Sequence, residues 1–430
     1  MNFLRSGSNS ESDTTRRRIT TPKILLSLLA LAGPGLIAAN AGNDAGGIAT
    51  YASAGAQFGY STLFLMLLVT IALVIVQEMC ARIGAYTGDG LGSLLREHFS
   101  IKKTTFALAA LVIANTGLVV SEFAGIAAAL SLFHVSRFIS IPVAALGVWS
   151  LVMFGTYKRA EQLFLVLSLA FFTYPVAMIL SHPNYQAVAT NLFTPHFILT
   201  KNYLFLGVAL IGTTITPYMQ FYLAGAVADK GIGPDDYHQE KVGTISGTII
   251  AEIISMVIII ATAAAISTRA PLTSAADAAR ALKPVAGQFA GELFGIGLLG
   301  ASALAAAIVP LSTSYAVSEA IGSERSVGKR FHEAPIFTGL FTGQILIGAL
   351  IALIPSNLIN TLINTQILNG IIAPIILTFI LIIANNKSIM GEAANGRIFK
   401  LAAIICVAVI GVLSLFTTIM TIAGWLGINI

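Results

Sequence analysis

The sequence predicts an all-α membrane protein, and three observations carry that prediction. Apolar runs of about 20 residues, the length needed to cross about 30 Å of hydrocarbon, recur from Lys23 to the C-terminus with only short polar breaks. Of the 430 residues, 56% are hydrophobic and 10% charged, and mean hydropathy is +0.86; a soluble domain carries about 25% charged residues. Two of the runs are interrupted at their centres by glycine or proline in polar company. The first two observations exclude a soluble protein and leave no room for a sizeable soluble domain.

Residues 1–20 are polar, basic and rich in Ser and Thr, with too little apolar surface to fold, and are expected to form a disordered cytoplasmic tail. Residues 21–430 form one transmembrane domain. Arg16-Arg17-Arg18 ahead of the first run resembles a twin-arginine signal, but the run is long and leads into many more, so it is read as an anchor that is not cleaved. Eleven helical spans are expected, at roughly 24–56, 60–86, 104–133, 139–157, 161–181, 202–229, 241–267, 288–321, 335–355, 358–384 and 398–427. With the N-terminus cytoplasmic, 19 of the 24 Lys and Arg fall at cytoplasmic ends, and only Arg137, Lys201, Arg269, Arg280 and Lys283 lie outside. That asymmetry sets the orientation, places the C-terminus outside, and explains the net charge of +5 without nucleic acid. Both cysteines, Cys80 and Cys406, lie in apolar segments and are read as packing residues.

The first span carries Gly42-Asn-Asp-Ala-Gly-Gly47 and the sixth Gly212-Thr-Thr-Ile-Thr-Pro-Tyr218. Proline removes a backbone donor and clusters of glycine weaken a helix, so each span is expected to split into two half-helices. Freed carbonyls are costly in lipid unless protein, water or a bound cation satisfies them. Breaks in spans one and six divide ten helices into two sets of five, about 24–181 and 202–384. An odd set inserts upside down relative to its twin, and the eleventh helix, about 398–427, lies outside this inverted repeat. Such a repeat puts a binding site at the midplane between the breaks.

Asp44 is the sharpest signal. An ionisable side chain in mid-span costs about 3 kcal/mol or more and is by default functional. Beside freed carbonyls it makes a site for a hard cation; the alternative is a neutral Asp hydrogen-bonded to the break.

Around Asp44 the sequence resembles the Nramp family of divalent-metal transporters, whose first span carries Asp-Pro-Gly-Asn and, at a fixed distance, Phe-Gly-Tyr. The counterparts are Asp44-Ala-Gly-Gly47 and Gly55-Ala-Gln-Phe-Gly-Tyr60. The likeness continues in Gln77-Glu-Met-Cys-Ala-Arg82, Thr87-Gly-Asp-Gly-Leu91 with Arg96-Glu97, Asn364-Thr-Gln-Ile-Leu-Asn-Gly370 and Ile389-Met-Gly391. It implies a LeuT-type inverted repeat of five plus five helices with an added eleventh, in the plasma membrane.

Departures from the family pattern bear on the substrate. Gly47 stands where the family has Asn, and Thr213, Thr216, Pro217 and Tyr218 stand where its sixth helix has Ala, Met, Pro and His. Thioether ligands favour softer ions, whereas carboxylate, carbonyl and water suit Mg²⁺, Ca²⁺ and Mn²⁺. Losing two direct ligands implies a roomier pocket, suited to Mg²⁺, which keeps several of its waters. The resemblance therefore points to the Nramp-related magnesium transporters. The ligand set it implies comprises Asp44, the backbone near Gly42 and Thr213, and the positions of Gly47, Thr213, Thr216, Tyr218 and Gln366. The three break hydroxyls have a competing role, bonding their own helix carbonyls, and Gln366 could serve as ligand or as an interhelical hydrogen bond.

A proton-coupled carrier needs a titratable route away from its site. All six histidines fall in predicted loops, the family's sixth-helix His is Tyr218, and an acidic position three before Glu122 is Val119. Coupling is thus expected to be weak or absent. Glu122 and Glu252 remain candidates for coupling or gating, against a structural role lining water or pairing with a hydroxyl. Glu78 and Arg82, four apart, are expected to pair structurally, and Glu319 is a candidate for closing the cytoplasmic side.

The expected function is alternating-access transport of a partly hydrated divalent cation, Mg²⁺ foremost and Mn²⁺ besides. The metal is substrate and no cofactor is called for. The partners are that ion and the lipid bilayer, not nucleic acid, with the oligomeric state open, a monomer included. Rival readings are a proton-coupled Mn²⁺ or Fe²⁺ importer, an organic-solute carrier, which Asp44 disfavours for carboxylates, and a sensor that moves nothing. An enzyme is excluded because no nucleophile and base pair or His-rich motif lies in the spans.

Overall fold

A helix starts where a side chain satisfies the free N–H groups of its first turn. Asp44 does this for α1 (Ala45–Phe58), its Oδ1 accepting from the Gly47 N–H at 2.6 Å. The computed structural model describes residues 43–154, 170, 173–198, 200–266, 269–323 and 333–425. The N-terminal part of the first span, Gly42 included, and most of the fifth lie outside these residues.

After α1 come α2 (Leu63–Thr87), α3 (Leu91–His98), α4 (Ile101–Ser131), α5 (Arg137–Met153), α6 (Thr173–Leu180) and α7 (Tyr185–Phe193). The broken sixth span supplies α8 (Lys201–Thr214) and α9 (Pro217–Asp229). They are followed by α10 (Tyr237–Ala265), α11 (Ala290–Ile321), α12 (Pro335–Leu353), α13 (Leu358–Asn385) and α14 (Arg397–Trp425). Among the described residues eight helices, with α8 and α9 taken as one, are long and apolar enough to cross a membrane. The described spans start and end within about four residues of the expected limits, the uncertainty usual for sequence-read boundaries.

The sixth span breaks where expected. Ile215 leaves the helical region at φ −112°, ψ 60°, and Thr216 is extended at the N-cap of α9, with Pro217 in its first turn. In the most apolar part of α8–α9, 89% of the residues are buried, so this span runs through the middle of the bundle; the corresponding figure for α14 is 22%, which leaves the eleventh helix at the rim.

Helix α1 packs against α4, α8, α10 and α13. Its far end explains the Phe58-Gly59-Tyr60 motif in structural terms. Gly59 takes φ +62°, open to glycine and strained for other residues. The Arg269 guanidinium lies against it and donates to the Gly55 carbonyl at 3.2 Å, a cation at a helix C-terminus.

Short helices fall where the sequence reading placed connections, α3 and α7 the longest among those described. Helix α3 is amphipathic, with Leu91, Leu94 and Leu95 buried and Arg96, Glu97 and His98 exposed, too short to register as a span. Helix α7 buries no residue and is started by Asn184, whose side chain accepts from the Ala187 N–H. The Glu319 carboxylate sits against Gly90 and Gly92 at the start of α3, tying α11 to the connection after α2.

Glu78 and Arg82 pair as expected, at 3.0 Å. Glu78 also accepts from the Tyr237 hydroxyl at 2.5 Å and lies 3.8 Å from Lys241, while Arg82 donates to the Ala393 carbonyl at 2.8 Å and to Asn395 at 2.5 Å. This network stitches α2, the start of α10 and the connection after α13. Removing one member of a buried pair strands the other, but Tyr237 and Lys241 continue to support Glu78. Arg82→Ala should therefore cost about 2 kcal/mol, read as a lowered thermal unfolding midpoint in detergent.

Candidate ion site at the helix breaks

Asp44 uses one carboxylate oxygen to cap α1. The other, Oδ2, is buried and has no hydrogen-bond partner. Helix α4 brings Glu122, whose Oε2 accepts from the Ala45 N–H at 3.4 Å and whose Oε1 is also unpartnered. Helix α13 brings Gln366, whose amide nitrogen fills the space a Cβ on Gly46 would occupy and faces Asp44. Gln366 Oε1 meanwhile accepts from the Asn369 amide at 3.1 Å.

The broken sixth span adds freed backbone. The Thr213 carbonyl would accept from the N–H of residue 217, but Pro217 has none. The hydroxyls of Thr213 and Thr216, both fully buried, take no partner, not even the carbonyl one turn back that absorbs Thr50 and Thr70. Helix α8 is held beside the site because Gly212 lies directly against the Gln366 carbonyl and the Gly370 N–H of α13. The Tyr218 ring is buried within electrostatic reach of both Asp44 and Glu122, and its carbonyl accepts from the Ser312 hydroxyl at 3.3 Å.

Asp44, Gly47, Glu122 and Gln366 thus come together on α1, α4 and α13 with the Tyr218 ring of α9 in electrostatic reach, while Thr213 and Thr216 lie at the sixth-span break, where the neighbouring Gly212 touches Gln366. Gly47 contributes its N–H to Asp44 and the absence of a side chain. Ser121, Ser302 and Asn369 were not singled out from the sequence, yet Ser121 and Ser302 carry unpartnered buried hydroxyls beside the start of α1, and Asn369 Oδ1 is unpartnered beside Gln366. The signal for Asn369 stood in the Asn364–Gly370 motif; isolated serines on apolar helices gave none.

Glu252 does not join this group. It lies on α10, fully buried, with Oε2 unpartnered, within electrostatic reach of Tyr51. The described histidines, His98, His134, His182, His196 and His238, are all exposed. Two of them, His98 and His238, prove to sit in the end turns of α3 and α10 rather than in loops. Among the described residues no three His, Cys, Asp or Glu side chains cluster as a metal-ligand set. What remains is an oxygen-rich environment around one capping carboxylate, with unsatisfied acceptors and freed carbonyls that a cation would satisfy.

The family model for natural resistance-associated macrophage protein-like sequences, Nramp, matches residues 35–420. The chain belongs to the Nramp family. A relative named divalent metal cation transporter MntH, from Ralstonia nicotianae, is 27% identical over 92% of this chain and 92% of its own. In fold, the Nramp chain described here is similar to a manganese transporter of Eremococcus coleocola, with a TM-score of 0.74 at 20% identity over 95% of this chain and 90% of the other. It also resembles MhsT, solved with L-phenylalanine, at a TM-score of 0.56 and 13% identity over 90% and 97% of the two chains. These likenesses establish the LeuT-type fold of a multi-pass membrane protein. The name of the relative describes transport, not catalysis.

Proposed function

We propose that this Nramp protein carries divalent metal cations by alternating access, Mg²⁺ foremost and Mn²⁺ besides, with the ion held partly hydrated at Asp44. The observation that carries the reading is the Asp44 carboxylate itself: buried at the start of α1, with one oxygen used as a helix cap and the other unpartnered. The Thr213 carbonyl, the hydroxyls of Thr213 and Thr216, the Tyr218 ring and Gln366 supply the rest of the shell, directly or through water. Gln366 fits this role after paired amide flips of Gln366 and Asn369, which turn Gln366 Oε1 toward the ion and let Nε2 donate to Asn369 Oδ1 where Asn369 Nδ2 now donates to Oε1. Gly42 and Gly47 contribute carbonyl and room respectively.

Selectivity follows from the donors. Thr216 replaces a thioether at the break, and the nearby Met219 belongs to an apolar cluster with Leu118, Val119 and Phe123. Hard oxygen donors and space for water favour Mg²⁺ over Cd²⁺. Thr216→Met should raise the ratio of Cd²⁺ to Mg²⁺ uptake about tenfold, on the order of one soft-ligand contact; dye-loaded proteoliposomes measure both ions.

Absent or weak proton coupling is supported by the same packing. Val119 does not face a polar channel; it packs directly on Gly348 of α12 within an apolar cluster. No described histidine approaches Asp44. Uptake of Mg²⁺ with internal pH followed in parallel tests both parts of the proposal. Mg²⁺ flux without acidification supports it, while preference for Mn²⁺ and Cd²⁺ with acidification favours the proton-coupled importer.

A further inference from the structure

Helix α10 is apolar along most of its 29 residues, yet one face carries Glu240, Thr244, Thr248, Glu252 and Ser255, all buried. At 100° per residue these positions fall within about a third of the helix circumference, and at 1.5 Å per residue they extend about 22 Å along it. The upper end of this seam reaches the ion site: the Ser255 hydroxyl donates to Asn43 Oδ1 at 3.3 Å, and Asn43 immediately precedes Asp44. The lower end begins at the Glu78, Arg82, Tyr237 and Lys241 network. In between, the Thr244 hydroxyl donates to Glu240 at 3.3 Å.

Glu252 is the group in this seam without an evident structural use. Its side chain is buried, Oε2 has no partner, and no Lys, Arg or His among the described residues is paired with it. A carboxylate in a membrane span that serves structure alone finds a hydrogen-bond donor or a counter-charge; one that does not is by default a functional group, and hard-oxygen neighbours suit it to a cation. Tyr51 connects it to the main site, lying within electrostatic reach of both Glu252 and Asp44 with its hydroxyl 3.2 Å from Thr214 at the sixth-span break.

We propose that Glu252 is a second binding station for the transported divalent cation, on a polar track along α10 that leads from Asp44 to the end of the bundle capped by Glu78 and Arg82. The donors there, a carboxylate and the hydroxyls of Thr248, Ser255 and Tyr51, are hard oxygens suited to an ion that keeps part of its water. The Lys and Arg asymmetry makes that end cytoplasmic, so the ion enters or leaves the cell along this face. The proposal rests on the transport reading above.

Two measurements on the full chain test it. In proteoliposomes, Glu252→Gln should lower maximal Mg²⁺ flux about tenfold, with half-saturation within about twofold because the Asp44 site is intact. Glu252→Asp, which keeps the charge, should retain flux within about threefold. By Mn²⁺ electron paramagnetic resonance titration in detergent, Asp44→Asn should keep one weak Mn²⁺ site that disappears in Asp44→Asn/Glu252→Gln. The proposal is overturned if Glu252→Gln transports at the wild-type rate, if the Gln and Asp variants lose flux equally, which marks a packing role, or if Asp44→Asn binds no Mn²⁺. A change confined to proton movement also overturns it, since Glu252 would then carry protons. Should the wild type itself move no divalent ion, the transport reading fails, and this outcome is distinct from the others.

Discussion

Replacing Asp44 by Ala should reduce divalent-ion flux at least about a hundredfold and remove measurable Mg²⁺ binding by calorimetry. The size follows from dehydration. A doubly charged ion gives up part of its water to enter a site deep in lipid, and carbonyls and hydroxyls alone return only part of that cost. Asp44 places a charge there, and Glu122, the nearest other carboxylate, is engaged at the Ala45 N–H. Because Asp44 also caps α1, the Ala variant loses about 1 kcal/mol of stability through the cap. Asp44→Asn separates the two roles. Asn caps a helix about as well as Asp, so this variant should unfold at the wild-type temperature and still fail to transport. Wild-type flux in Asp44→Asn would remove the site from the protein.

Much of this arrangement was legible in the sequence because lipid permits so little. Apolar length identifies spans, and a break in a span has to be satisfied by something, so Gly42–Gly47 and Gly212–Tyr218 declared themselves. Asp44 was legible for the same reason: a charge in mid-span is too costly to be incidental. Its use as the N-cap of α1 was not anticipated, because a cap is recognised from the helix start, and glycine on both sides blurred where that start fell. Ser121 and Ser302 were invisible for a different reason. Each is a small polar residue on a continuous helix, where the usual fate is a bond to the carbonyl one turn back; only the packing of α4 and α11 against α1 leaves their hydroxyls turned toward the site. The seam on α10 was readable in principle from the four-residue interval of Glu240, Thr244, Thr248 and Glu252, but Glu252 alone drew notice since it alone is charged in mid-span.

Gly212→Val should be the most damaging substitution outside the ion's own ligands. A Cβ at position 212 would overlap the Gln366 carbonyl and the Gly370 N–H, both backbone atoms of α13, and one on Gly370 would overlap the Val208 carbonyl in return. Two glycines thus let α8 and α13 approach backbone to backbone, the usual means of close packing where lipid supplies no hydrophobic drive. No rotamer relieves a clash between main chains, so the helices must separate. The cost should be about 3 kcal/mol or more, above the usual range for overpacking, and it should appear as a large fall in the thermal midpoint followed by fluorescence-detected size exclusion. Gly225→Ala on α9, where a Cβ meets nothing within 4 Å, should leave that midpoint unchanged or slightly raised. The same displacement would carry Thr213 away from Gln366, so Gly212→Ala, if it inserts and folds, should lose Mg²⁺ affinity while Asp44 is untouched. Wild-type affinity in that variant would mean that the sixth-span break and α13 do not act on the ion together.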